Sequence, residues 1–292
     1  ADAERAESQG FDSFWLANIS GFDALTALAV AGARTQRIEL GTFVVPTFPR
    51  HPIAMAQQAL TTQAATGNRL ALGIGLSHRV SMQDRLGFDW DHPIRHMREY
   101  LSVLNPLLDQ QPVTFEGQEF RVNGAQLTVP GATRPAVLVA ALGPQMLKLT
   151  GKMADGTALW MGGAKYLRDH AVPTISAAAE QAGRSVPRVV AALPFCVTAD
   201  DAETGRAKEL CGRMFERYGM LPSYRAILDR EGAETPVDVA VIGTDDEVCQ
   251  RLAELADAGA TEFAAAMFSP NRDTSRSVDL LQRIRQESPA SS

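Results

Sequence analysis

Cysteine is scarce in this chain, with three in 292 residues, at Cys196, Cys211 and Cys249. They lie far apart and none stands in a CxxC pair, which argues against a disulfide framework or a cysteine zinc site. No apolar run is long enough to span a bilayer, and no basic-then-apolar leader opens the sequence. No basic run stands out and the net charge is −6, so nucleic acid is not an expected partner. These absences point to a cytoplasmic protein with no metal, no membrane and a small-molecule substrate. A dinucleotide fingerprint is also missing. "GNRLALGIGLSH" (67–78) has Gly73 and Gly75, but its sixth position is His78 rather than a third glycine. No acidic strand end follows about twenty residues on, where the dinucleotide motif would place one.

What is present is ordinary globular composition, 45% hydrophobic and 21% charged, with material for a sizeable core. Apolar strand candidates start near 11, 38, 70, 135, 157, 189 and 261, and helical periodicity fills most of the gaps. "HPIAMAQQALTTQAATG" (51–67) has Pro52 in its first turn and Gly67 at its end. "DDEVCQRLAELADAG" (245–259) is read as capped by Asp245 or Asp246 and stopped by Gly259. Strand, helix, strand without a hairpin means parallel βαβ units. "VTFEGQEFRVNGAQLTV" (113–129) departs from this and reads as a small hairpin. The chain opens at Ala1 with what reads as the second half of a helix, so a strand and half a helix are expected upstream. With that strand the count is eight, and the fold class is α/β, a (β/α)8 barrel with its first strand lacking. An open doubly wound sheet is the rival. One barrel domain is expected over 1–292, with an insertion at 79–134 and a helical insertion at 201–244 that forms a lid, an interface or ordinary core.

In a barrel, Gly73 and Gly75 end a strand at the C-terminal rim, where binding and catalytic residues gather. Glycine there lets a flat ring or a phosphate approach the backbone. Ser77 and His78 follow directly, and an imidazole can move a proton near neutral pH, or simply hydrogen-bond. Arg50 and His51 precede Pro52. Arg50 is a candidate for a phosphate or a substrate acid, and His51 is read as structural. "ALGP", Ala141 to Pro144, sets backbone N–H groups at a helix start, an anion-binding geometry. "WMGG" puts Gly162 and Gly163 at the next rim.

Several segments together carry a resemblance: "GFDSFWL" (10–16), "IELGTFVVPTFPRHPIAMAQQA" (38–59), "GNRLALGIGLSH" (67–78), "RHMREYL" (95–101), "ALGPQMLKLTGKMADGTALW" (141–160) and "DDEVCQRLAELADAGATEF" (245–263). The chain resembles the luciferase-like flavin and deazaflavin oxidoreductases, in the branch that uses coenzyme F420. The resemblance implies a homodimeric (β/α)8 enzyme with the cofactor at the C-terminal mouth, F420 first and FMN as the alternative. It implies a non-proline cis peptide behind the cofactor ring, at Phe43–Val44 or, second, Val44–Val45. It places Asn18, Phe43, Val44, Gly75, Ser77, Ala141, Leu142, Gly143, Pro144, Gly162 and Gly163 around the cofactor, with His78 as proton partner. One departure matters. Many F420 relatives carry Asp-His where this chain has Asn18-Ile19, and isoleucine cannot relay a proton, which tells against sugar-phosphate or alcohol dehydrogenation. A non-catalytic flavin-binding protein is a further alternative. A Schiff-base barrel is disfavoured, because Lys148 and Lys152 lie in a helix.

Overall fold

The computed structural model describes residues 1–287, which gather into two compact units. The first holds 1–141 and 149–157, and the second holds 142–148 and the chain from 158 onward.

In the first unit, α1 (Asp2–Ser8) leads to β1 (Ser13–Leu16), α2 (Ala24–Gly32), β2 (Glu39–Thr42) and β3 (Val45–Pro46). Then come α3 (Pro52–Ala65), β4 (Leu70–Gly75), a π-helical turn (Val80–Arg85) and α4 (Pro93–Leu108). The antiparallel hairpin β5 (Val113–Glu116) and β6 (Arg121–Ala125) follows, then β7 (Ala136–Val139). The order β1-β2-β4-β7 is parallel throughout. α5 (Pro144–Met153) and β8 (Gly156–Trp160) each have one end in either unit, and Gly156 and Thr157 extend this ladder onto β7. β4 is buried along its whole length, as a strand covered on both faces must be, which is why its sequence is a continuous apolar run.

In the second unit the far end of β8 leads to α6 (Ala164–Tyr166), a π-helical turn (Leu167–Ala171) and α7 (Val172–Gln181). β9 (Arg188–Val197) follows, then α8 (Asp201–Met220), α9 (Pro222–Glu231), α10 (Pro236–Val239), β10 (Val241–Gly243), α11 (Asp245–Asp257), β11 (Glu262–Met267) and α12 (Ser275–Glu287). β9 lies parallel to both β10 and β11. The expected parallel α/β class is what forms, and all seven strands read from the sequence are present. Among the described residues, no ladder closes them into a complete ring.

Local chemistry sets the ends. Asp23 caps α2 by accepting the N–H of Thr26 at 2.9 Å. α11 corrects the sequence reading. Its cap is Thr244, whose side chain and that of Glu247 form a capping box, while Asp245 and Asp246 are the first helical residues. Asp245 instead pairs with Arg276 and Arg283 of α12. A π-helical turn ends two residues before Pro173, which sits in the first turn of α7, where its missing N–H does no harm.

A buried carboxylate ties the hairpin to α4. Glu99 accepts the N–H groups of Gln118 at 3.1 Å, Glu119 at 2.7 Å and Phe120 at 3.2 Å. Burial pushes its carboxyl up, but these three donors together outweigh burial and hold it below the ordinary value. Gly117 is there because a Cβ would come within 2.2 Å of the Glu99 carboxylate. Glu99→Gln turns an all-acceptor group into one that presents an amide N–H₂ to backbone donors. It is expected to destabilise the chain by about 2 kcal/mol in urea unfolding. A change under about 0.5 kcal/mol would show that the carboxylate does not hold the hairpin.

Candidate active site

The rim of the first unit is built where β2 breaks. β2 pairs with β4 through Leu40↔Leu70 and Gly41↔Ala71, leaves it, and rejoins as β3 through Val45↔Ile74 and Pro46↔Gly75. Between the two, Thr42 fills the missing rungs. Its hydroxyl donates to the Gly73 carbonyl at 2.7 Å and accepts from the Gly73 N–H at 2.8 Å. The peptide Phe43–Val44 in this bulge is cis, the first of the two bonds the resemblance implied.

The bulge accounts for the two glycines of "GIG". A Cβ on Gly73 would lie 2.0 Å from the Thr42 carbonyl oxygen, and one on Gly75 would lie 2.8 Å from a Val44 methyl. The space above both is filled by the neighbouring strand, so their bareness first serves the bulge and only through it a ligand. Gly41 is bare for a similar reason. The Trp15 ring, on the paired residue of β1, lies 2.1 Å from where its Cβ would be. Trp15 meets Phe43 edge-on, with centroids 5.9 Å apart. Trp15, Phe43 and Val44 are half-buried and form an apolar shelf near the C-terminal ends of β1 and β2.

Polar groups stand on the loops that follow β1, β3 and β4. Asn18 accepts the Ala24 N–H at 2.9 Å, so its carbonyl oxygen is tied to the start of α2, and its amide end is the donor that remains. Ser77 is left-handed (φ 63°) and turns the chain off β4. His78 is half-buried, and its carbonyl accepts from Ser81 and Met82, both at 2.9 Å, starting the π-helical turn. Arg50, offered for a phosphate, has its guanidinium on Asp23, which also accepts from Gln58. His51 caps α3 through Nδ1, which accepts the Ile53 N–H at 3.3 Å, the structural role read for it.

In the second unit, Gly143 and Pro144 are exposed at the start of α5, and a Cβ on Gly143 would meet nothing within 4 Å. The carbonyl of Leu142 accepts from the Tyr166 hydroxyl at 2.6 Å. The turn after β8 already holds a carboxylate. Glu231 of α9 accepts the N–H groups of Lys165 at 3.2 Å and Tyr166 at 2.6 Å, and a Cβ on Gly163 would come within 2.5 Å of it. A Cβ on Gly162 would sit 3.1 Å from the Tyr166 ring. Part of the helical segment packs on the end of β8. Phe215 and Tyr218 of α8 meet Trp160 edge-on at 5.6 and 5.8 Å, Tyr224 is buried, and Met214 is half exposed. Ala141, at the end of the first unit, is buried.

The sequence of residues 2–262 matches the family described as luciferase-like monooxygenase. The chain belongs to the luciferase-like monooxygenase family. A Mycobacterium tuberculosis relative named only as an uncharacterized protein is 32% identical, over 80% of this chain and 72% of its own. The F420-dependent glucose-6-phosphate dehydrogenase of Nakamurella multipartita is 28% identical, over 81% of this chain and 72% of its own. Among solved structures, the coenzyme F420-dependent tetrahydromethanopterin reductase of Methanopyrus kandleri superposes with a TM-score of 0.79 at 22% identity, over 98% of this chain and 95% of that one. That last likeness establishes a shared fold. For a luciferase-like chain, the sequence reading missed Trp15, Thr42 and Glu231. A tryptophan opposite a glycine is visible only once the register of two strands is known. The Glu231 contact joins residues 65 and 66 positions apart.

Proposed function

We propose that the chain is an oxidoreductase that transfers a hydride between coenzyme F420 and an organic substrate. The observation that carries this reading is the half-buried apolar group Trp15, Phe43 and Val44 at the C-terminal ends of parallel strands, against which a planar ring can lie. Relatives named for F420 support the choice of ring. Coenzyme F420 supplies two-electron hydride chemistry when bound. The chain's residues do the rest. Phe43 and Val44 back the ring, with Gly75 beneath Val44. The Asn18 amide and Ser77 offer hydrogen bonds at its edge. His78 holds or takes the proton that accompanies the hydride. Leu142, Gly143 and Pro144, following Ala141, remain the groups offered to a phosphate, whereas the Gly162–Gly163 turn is already taken by the Glu231 carboxylate. Arg50 acts through Asp23 to fix the start of α2. A homodimer and residence in the cytoplasm belong to the same reading, and light scattering on the purified protein tests the first of these.

The experiment is a pair of titrations, F420 and FMN, followed by fluorescence and calorimetry. Tight F420 binding with weak FMN binding is expected. His78→Ala is expected to leave the F420 affinity unchanged and to lower kcat by about 100-fold or more. Preference for FMN would move the chain to flavin-dependent monooxygenation, as the family description allows. Retained binding with no turnover across a broad panel would make it a binding protein, and no binding to either would overturn the redox reading.

A further inference from the structure

The chain holds five asparagines, and they differ in what restrains them. Asn18 accepts the Ala24 N–H at 2.9 Å. Asn68 donates to the Gly131 carbonyl at 2.9 Å and accepts the Thr133 N–H at 2.8 Å. Asn105 donates to the Met153 carbonyl at 2.8 Å and precedes Pro106, which has no N–H. Asn271 accepts from the Ser269 hydroxyl and from the Asp273 N–H, the latter at 2.9 Å. Among the described residues, Asn123 is the one asparagine whose side chain makes no hydrogen bond, and it is the one followed by glycine. Asn123 and Gly124 are exposed on β6, in a hairpin sheet of just two strands. The ladder pairs Val113 with Ala125 and Phe115 with Val122, so Asn123 and Gly124 together face the single residue Thr114. This is a bulge, where the ladder is locally disrupted. Gly124 is left-handed (φ 66°), and a Cβ there would meet nothing within 4 Å. Its N–H donates to the exposed Thr114 hydroxyl at 3.1 Å, a partner that water can replace.

We propose that Asn123–Gly124 is a modification site, at which the folded chain deamidates itself through a cyclic imide. The Gly124 nitrogen gives up its proton and attacks Cγ of Asn123. An N–C bond forms, the Cγ–Nδ2 bond breaks, and Nδ2 leaves as ammonia carrying the proton. One water then opens the ring at either carbonyl, leaving aspartate or isoaspartate. Nothing is oxidised or reduced, and water is the sole co-reactant. The other four asparagines must first break a side-chain hydrogen bond. The residues that follow them are Ile19, Arg69, Pro106 and Arg272, three of which are bulky while the fourth lacks the attacking N–H. Isoaspartate at 123 adds one carbon to the backbone of β6 next to the buried Val122, displacing the pairing of Ala125 with Val113. The chemistry needs neither cofactor nor substrate, so it stands apart from the oxidoreductase reading.

The test is to age the whole chain at mildly alkaline pH and map its peptides by mass spectrometry. In parallel, isoaspartate is labelled with a protein isoaspartyl methyltransferase and S-adenosylmethionine. Acid in place of amide is expected at Asn123 about tenfold or more faster than at Asn18, Asn68, Asn105 or Asn271, each of which is held by a hydrogen bond. The methyl label is expected on the same peptide and in step with it. Asn123→Gln, at an exposed position, is expected to abolish the label and to leave the unfolding curve unchanged. The aged chain should unfold at lower urea than the fresh one. Asn123→Asp adds the charge without the extra backbone carbon and should match the fresh parent. Conversion at Asn123 only in urea, with the folded chain intact, would overturn the proposal. So would equal rates at the other asparagines, or a label that persists in Asn123→Gln. Acid without label would show direct hydrolysis and strike the imide route.

Discussion

Gly73→Ala is expected to destabilise the chain by about 3 kcal/mol or more, among the largest effects of any methyl addition. The reason is what the methyl meets. At 2.0 Å from the Thr42 carbonyl oxygen it strikes backbone, not the movable end of a side chain. That backbone is pinned from both sides, because the Thr42 hydroxyl bonds both the N–H and the carbonyl of Gly73. Relief requires β2 and β4 to separate where both are fully buried. The site would suffer with the fold, since the displaced bulge carries Phe43 and Val44. Gly75→Ala is expected to be milder, at about 1 kcal/mol, because the new methyl meets side-chain methyls of Val44 and Ala140 at 2.8 and 3.1 Å. Gly143→Ala, opening onto empty space, should lie within about 0.5 kcal/mol of the parent. Urea unfolding of the three variants checks the order. Equal effects at 73 and 143 would sink the account of the "GIG" glycines.

These glycines also show where sequence reading stops. The strands were legible because β4 and β9 are buried almost throughout, so each is a continuous apolar run bounded by turn residues. The helices were legible from their periodicity and from residues such as Pro52 and Gly67. Boundaries that depend on a side chain's choice were not. Thr244 rather than Asp245 caps α11 because Thr244 can reciprocate with Glu247, while Asp245 is drawn to two arginines of α12. β10, three residues long, carries too little periodicity to register. The break between β2 and β3 is invisible in "GTFVVP" because the Thr42 hydroxyl replaces ladder bonds from the next strand. At the site, types and positions were legible, but commitments were not. Arg50 reads as a free cation until Asp23, 27 residues earlier, is seen to hold it.

Lowering the pH from 7 to 5 is expected to destabilise the chain by about 2 kcal/mol through one side chain, His96. His96 lies on α4, is buried, and is sandwiched between Phe48 and Tyr100, with Glu99 and Glu119 as the acidic groups acting on it. Burial pushes its imidazole down to about 4, against a weaker upward pull from the two carboxylates. The unfolded chain therefore takes up a proton near pH 6.5, while the folded chain refuses it until about 4. Across that window the unfolded state binds more protons, so stability falls as pH falls, and levels off once both forms are protonated. His51, lowered by partial burial, adds a smaller effect of the same sign. Glu7, held near 2 chiefly by the N–H groups of Ile38 and Arg37, and Glu99 are lowered carboxylates. They lose their contribution as pH falls from the ordinary carboxylate range through their own lower values, so their loss falls below this window and does not blur the His96 slope. The consequence reaches the rim, because His96 Nε2 is 3.0 Å from the Thr47 hydroxyl, and the Thr47 N–H bonds the Gly75 carbonyl at 2.9 Å. His96→Phe keeps a ring between its neighbours but leaves Thr47 unpaired, so its stability should be lower at pH 7. Its slope between pH 7 and 5 should be nearly flat, and that slope is the readout. A His96 proton resonance titrating near 6.5 in the folded protein, or an unchanged slope in His96→Phe, would show that the histidine is not held neutral by the fold.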